Sequence, residues 1–270
     1  MKTILIFLFS FIVITSQAQH QLEKIWESDT TLNTPESVLY TKDVLYVSLI
    51  DGQPWGADGK GGIGKLDSNG KIVNATWVTG LNAPKGMGLL KDKLYVADIS
   101  EVVVVNTTTG KVDAKIPVEG SQGLNDITID NKGMVYVSDS KLGTVYQILK
   151  GKATLYLSDL KGVNGLKAVD KELYVLVGEG VKKVSANKKV IDIAPTEVGG
   201  DGIEPVGNGD YIISCWPGLI YYLDKDNKRE TLLDTREQKR NTADIGYDEK
   251  NRILYVPTFF KNSVVAYRLK

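Results

Sequence analysis

The chain has 270 residues, with 33 Lys and Arg against 33 Asp and Glu, one histidine and one cysteine. Such a balance offers no basic surface for nucleic acid or anionic membrane, and a lone cysteine permits no intrachain disulfide. The only histidine, His20, stands near the amino terminus, which excludes Ser-His-Asp and Cys-His catalysis and His-ligated zinc in their usual forms.

The chain begins "MKTILIFLFSFIVITSQAQ". Lys2, an apolar run and the small-x-small ending Ser16-Gln17-Ala18 predict a signal peptide over residues 1–18 and export to the periplasm or the extracellular space. The run is short of a bilayer span and no second long apolar stretch follows, so no membrane insertion is expected. Without the signal, 32 basic residues face 33 acidic ones. Residues 19–270 are long enough to bury a core as one domain.

One phrase then recurs six times: small or polar residues, an apolar pair, a polar turn, and "LYV" or its equivalent. It reads "PESVLYTKDVLYVS" from Pro35, "PKGMGLLKDKLYVAD" from Pro84, "LNDITIDNKGMVYVSD" from Leu124, "VNGLKAVDKELYVLV" from Val163, "GDGIEPVGNGDYIIS" from Gly200 and "TADIGYDEKNRILYVPT" from Thr242. Registered on Tyr46, Tyr95, Tyr136, Tyr174, Ile212 and Tyr255, the steps are 49, 41, 38, 38 and 43 residues. Steps near forty match one four-stranded propeller blade, and two further strand-like runs follow each copy. The fold predicted is all-β, a six-bladed β-propeller of four-stranded blades, with "LEKIWES" adding the outermost strand to the last blade so that both chain ends close the ring. A β-sandwich would not produce a sixfold phrase.

Between Asp58 and Leu66 the sequence "DGKGGIGKL" nearly matches a phosphate-binding loop, with Gly59, Gly64 and Lys65 in register but Leu66 where Ser or Thr belongs. A phosphate loop runs from strand to helix. Here a strand follows, so the glycines are expected to turn one strand into the next.

The innermost strand of each blade lines the tunnel. The residue two before the apolar position of each phrase is Glu36, Lys85, Asn125, Asn164, Asp201 and Ala243. Two carboxylates and two carboxamides from four blades would make an oxygen-rich pocket suited to calcium, magnesium or manganese. Asn164-Gly165 and Asp201-Gly202 are also ordinary turn dipeptides; the register shared across blades is what points to a site.

"PES" with Glu36, "LNDITID" with Asn125, "VNGL" with Asn164 and "GDGI" with Asp201 resemble, in blade order, the tunnel motifs of the senescence marker protein/gluconolactonase family, the regucalcin-like six-bladed propellers. The resemblance implies a metal-dependent hydrolase of a small lactone or cyclic ester. It implies one divalent ion, calcium first and otherwise magnesium, manganese or zinc, held by Glu36, Asn164 and Asp201. Asp201 would serve as general base and Asn125 would lie by ion and substrate. Two positions depart from the family: Gly123 stands where its lactonases carry an arginine, and Lys85 places an ammonium in the tunnel. Lys85 could bind a substrate carboxylate or phosphate, cap Glu36 and Asp201 in a metal-free pair, or point to solvent.

The loops "DGQPWGADGKGG" and "CWPG" should border the same mouth, where Trp55 and Trp216 could stack on a ligand or pack their own loops. Asp51 and Asp58 could hold a surface calcium or stand solvated, Cys215 reads as a buried inert thiol, and "DTREQKRNTAD" as a solvated loop. The alternative to a hydrolase is a non-catalytic propeller binding a small molecule, glycan or protein through the same mouth. A closed propeller needs no second copy, so a monomer suffices.

Overall fold

The computed structural model describes residues 20–270 apart from Asp43 and Glu179; the predicted signal peptide lies outside the described residues. Burial follows position within a blade. The second strands, such as Val44–Leu49 of blade 1 and Asp210–Cys215 of blade 5, are buried along almost their whole length, because neighbouring blades cover both faces and apolar, β-branched side chains fill them. The outermost strand of blade 2, Val112–Pro117, buries only Ile116.

There are six four-stranded antiparallel sheets. In five of them chain order runs from the tunnel outward. The sixth takes Gly246–Asp248, Ile253–Pro257 and Val264–Leu269 from the end of the chain and Leu22–Glu27 from its beginning, with Leu22 opposite Leu269 and Glu27 opposite Val265. The ring closes as its repeats predict. Six apolar clusters fill the junctions between adjacent blades; Val102 and Val104 of blade 2, for example, meet Ile127 and Val137 of blade 3. Among the described residues, no helix is long and apolar enough to cross a membrane.

The closing strand is pinned by Glu27. Its Oε1 accepts hydrogen bonds from Arg240 Nη1 at 2.7 Å and Ser263 Oγ at 2.8 Å, and its Oε2 accepts one from Lys24 Nζ at 2.6 Å. Partial burial would raise its pKa, but these three donors together hold it down at about 2. Glu27→Gln is therefore expected to lower the unfolding midpoint at neutral pH by a few degrees, for a loss of about 1–3 kcal/mol. Because the folded-state pKa is depressed, this stabilisation is present above about pH 4.5 and lost as pH falls toward 2. Midpoints of wild type and variant should converge over that interval.

The glycine-rich stretch is resolved as strand: Gly61–Leu66 is the third strand of blade 1. Lys65 Nζ lies 3.8 Å from the ring centre of Trp77, and a Cβ on Gly61 or Gly62 would run into Pro84 or the Val78 carbonyl. These glycines serve close packing of strands. The buried aspartates that end two repeat phrases brace the loops leading into their own blades. Asp98 accepts from the amides of Asn82 and Ala83 at 2.9 and 2.8 Å, and Asp139 from that of Gln122 at 2.7 Å.

Candidate functional site

The innermost strands of blades 1, 2 and 3, Pro35–Thr41, Pro84–Leu90 and Leu124–Ile129, share one irregularity. Pro35 pairs with Leu49 and the next ladder partner is Val38 with Val47; Pro84 and Leu124 are followed in the same way by Met87 and Ile127. Two residues thus stand against one, a β-bulge, which re-aims side chains. In blades 1, 3 and 5 a fully buried serine of the second strand accepts the second amide of the step: Ser48 from Ser37, Ser138 from Asp126 and Ser214 from Gly202, each at 2.9 Å.

The tunnel consequently carries two polar layers. The upper one holds the predicted set, with Glu36, Lys85 and Asp201 only 4%, 2% and 3% exposed. Lys85 Nζ lies 3.7 Å from Glu36 Oε1 and 4.4 Å from the ring centre of Trp55. Asn164 Nδ2 donates to Asp201 Oδ1 at 2.5 Å, while Asn125 Nδ2 donates to Ser140 Oγ at 2.9 Å. Glu36 Oε2 and Asp201 Oδ2 are buried with no hydrogen-bond partner. Ala243, the sixth position, packs with Ile50, Ala83 and Phe259 and makes an apolar wall.

The lower layer was missed by sequence reasoning. Asp126 directly follows Asn125, and Asp244 directly follows Ala243. Asp126 Oδ2 accepts from the amide of Leu166 at 2.5 Å, tying blade 3 to blade 4, and Asp244 Oδ2 accepts from Ser37 Oγ at 2.5 Å, tying blade 6 to blade 1. Deeper, Lys167 Nζ pairs with Glu204 Oε2 at 2.6 Å. These residues and Ser37 border a cavity of about 30 Å3, room for little more than one water.

Crowding of acids in little solvent perturbs them all. Burial raises the pKa of Glu36, against the pull of Lys85. Burial and then the charge of Glu36 drive Asp201 well above the usual carboxylate range, opposed by the Asn164 hydrogen bond and by Lys85. Burial pushes Asp126 up to about 8 in spite of the Leu166 and Ile127 amides. Asp244 is raised by burial and by Asp126, Glu36 and Asp201.

Lys141 is a further residue the sequence did not announce. Its Nζ stands 5.0 Å from the ring centre of Trp55, and a Cβ on Gly123 would lie 2.7 Å from its Cγ and 3.1 Å from Trp55 Cζ3. The space beside Gly123 is thus filled by a lysine stem and an indole edge, and Trp55 carries two ammonium groups. Trp216 instead meets Phe259 and Phe260 edge-on, at 5.4 and 6.0 Å between ring centres. Cys215 is buried, with its thiol pushed up to about 12 by burial. Asp58 accepts from the amide of Lys60 at 3.1 Å within its own loop. Among the described residues no three His, Cys, Asp or Glu side chains group as a metal cage, so an ion at the mouth would depend on Asn164 as well as on Glu36 and Asp201.

No protein-family model matches the chain, and no curated protein does. Solved structures do. A streptogramin B lyase is similar with a TM-score of 0.66 at 13% identity, over 94% of this chain and 100% of that one. A catalytically inactive virginiamycin B lyase from Staphylococcus aureus with quinupristin is similar with a TM-score of 0.65 at 12% identity, over 93% and 99%. A protein assigned as a gluconolactonase is similar with a TM-score of 0.70 at 14% identity, over 94% and 93%. At these identities the likeness is one of fold: this chain is a six-bladed β-propeller, an architecture it shares with a gluconolactonase-type protein as its tunnel motifs imply.

Proposed function

We propose that the tunnel mouth binds a small polyhydroxylated acid or the corresponding lactone. The observation that carries this reading is the pair of buried, unpartnered oxygens, Glu36 Oε2 and Asp201 Oδ2, in a cluster that also holds the ammonium of Lys85. A buried polar atom without a partner costs about 1–3 kcal/mol, which ligand hydroxyls would recover. Lys85 and Lys141, both over Trp55, would receive the carboxylate or carbonyl oxygen. Residues 1–18, read as a signal peptide, support placing the site outside the cytoplasm.

A second reading makes the mouth a lactone hydrolase with a divalent ion on Glu36, Asn164 and Asp201 and with Asp201 as base. The same two oxygens favour it, since a cation would satisfy them. Two features weigh against it: an ammonium already stands within the cluster, and burial, followed by the charge of Glu36, favours the protonated, acid form of Asp201 over the carboxylate a base requires. Lyase chemistry does not transfer. The inactive virginiamycin B lyase carries a histidine-to-alanine change, whereas His20 here stacks on Tyr222 at 3.8 Å and bonds Glu230 at 3.0 Å on the outermost strand of blade 5.

The test is to titrate the mature protein with gluconic acid and glucono-δ-lactone, following the unfolding midpoint and acid release in a pH-stat, for wild type and Asp201→Asn. A saturable rise in midpoint that Asp201→Asn abolishes is expected, with acid release no faster than the spontaneous rate. Asp201-dependent acid release would select the hydrolase instead. Neither a rise nor release would overturn both readings.

A further inference from the structure

We infer that the ammonium of Lys85 is the resident cation of the tunnel mouth, occupying the charge position a divalent ion would otherwise take. The inference rests on the reading of Glu36, Asn164 and Asp201 as one ligand-facing cluster. Lys85 is 2% exposed. Its Nζ sits between a carboxylate, Glu36 Oε1 at 3.7 Å, and an aromatic face, Trp55 at 4.4 Å, the two kinds of group that attract a cation. Its charge favours the ionised forms of both Glu36 and Asp201.

The whole side chain of Lys85 is buried, at 2% exposure, and the indole over which its Nζ stands also carries the ammonium of Lys141. Swinging Lys85 out would leave the carboxyl of Glu36 buried without a counter-charge, which is strongly unfavourable. A calcium ion on Glu36 Oε2 and Asp201 Oδ2 would need contacts of about 2.3–2.6 Å, and would then stand within a few ångströms of a fixed positive charge at low dielectric. The oxygens suit an ion; the ammonium excludes it. Removing the ammonium, with the oxygens left in place, should therefore create an ion site that wild type lacks.

The decisive measurement is thermal unfolding of the metal-stripped mature protein with calcium, magnesium, manganese or zinc, for wild type, Asp201→Asn, Lys85→Met, Lys85→Gln and Lys85→Met/Asp201→Asn. Wild type is expected to shift by less than about 1 °C, while Lys85→Met gains a saturable rise of about 5 °C or more at a hundredfold excess of ion over its dissociation constant. The double variant should lose that rise. A saturable wild-type response that Asp201→Asn removes would overturn the inference, and so would folded Lys85→Met and Lys85→Gln proteins that answer to none of the four ions. Should neither lysine variant fold, equilibrium dialysis of wild type against labelled calcium decides: stoichiometric binding overturns the inference and none supports it. The response of wild type to gluconic acid is a separate readout, so its failure would sink the ligand reading while leaving the role of Lys85 standing.

Discussion

Gly165→Ala is expected to lower the unfolding midpoint by roughly 5–10 °C and to abolish the response of the mouth to gluconic acid in whatever fraction still folds. A Cβ at this position would overlap the carbonyl oxygen of Asp201 and lie 2.8 Å from Leu176 Cδ1. The carbonyl is backbone and cannot turn aside. It is held because the Asp201 amide donates to the Ser214 carbonyl at 2.7 Å, and Gly165 is held because the Leu176 amide donates to its carbonyl at 2.8 Å. The added methyl must therefore push blade 4 from blade 5 at the point where Asn164 reaches Asp201. Overpacking a fixed interior typically costs about 1–3 kcal/mol, and here the displacement falls on the site itself. Gly199→Ala is the control, since its Cβ would find only Gly178 Cα, at 3.7 Å. That variant should keep the wild-type midpoint and ligand response; if both variants behave alike, tunnel glycines are not spacers.

The same glycine shows how far the sequence could be read. The sixfold phrase carries blade number, strand order and ring closure, because burial on both faces of a second strand demands the repeated apolar run and each bend demands its turn residues. It also places Glu36, Lys85, Asn125, Asn164 and Asp201 in one layer. It does not reveal Asp126 or Asp244: alternation assigns the next residue along a strand to the opposite face, the bulge of blade 3 breaks that rule at Asp126, and Asp244 precedes the innermost strand of blade 6 and bridges to Ser37 of blade 1 instead. Traces of the break were present: Gly86, Gly165 and Gly202 follow the inward residue, and Ser48, Ser138 and Ser214 recur in the second strand. Lys141 was illegible for another reason. It belongs to a loop of blade 3 and Trp55 to a loop of blade 1, and only the curvature of the ring brings them together.

Stability should fall as pH rises from about 5 to 8, by on the order of 10 °C in the unfolding midpoint, the reverse of the acid sensitivity that Glu27 confers below pH 4.5. The group that sets the size is Asp126, whose carboxyl burial pushes up to about 8. Below about pH 4 it is protonated folded and unfolded, and its contribution is fully present. Between about 4 and 8 the unfolded chain releases the proton while the folded chain keeps it, so the native state loses ground by up to about 1.4 kcal/mol per pH unit. Asp201 and Asp244, both raised by burial, act in the same direction. Midpoints measured from pH 4 to 9 at constant ionic strength would decide, with Asp126→Asn as the comparison. An amide there can accept only one of the two backbone hydrogens that Asp126 receives from Leu166 and Ile127, so the variant should be less stable at pH 5 by about 1–3 kcal/mol. It cannot ionise, so its curve should be flatter, and the two curves should cross between pH 5 and 8, with the variant no less stable than wild type at pH 8. A midpoint that climbs steadily from pH 5 to 8 would mean that the tunnel carboxyls are ionised in the folded ring, and the acid character assigned to Asp201 would fall with it.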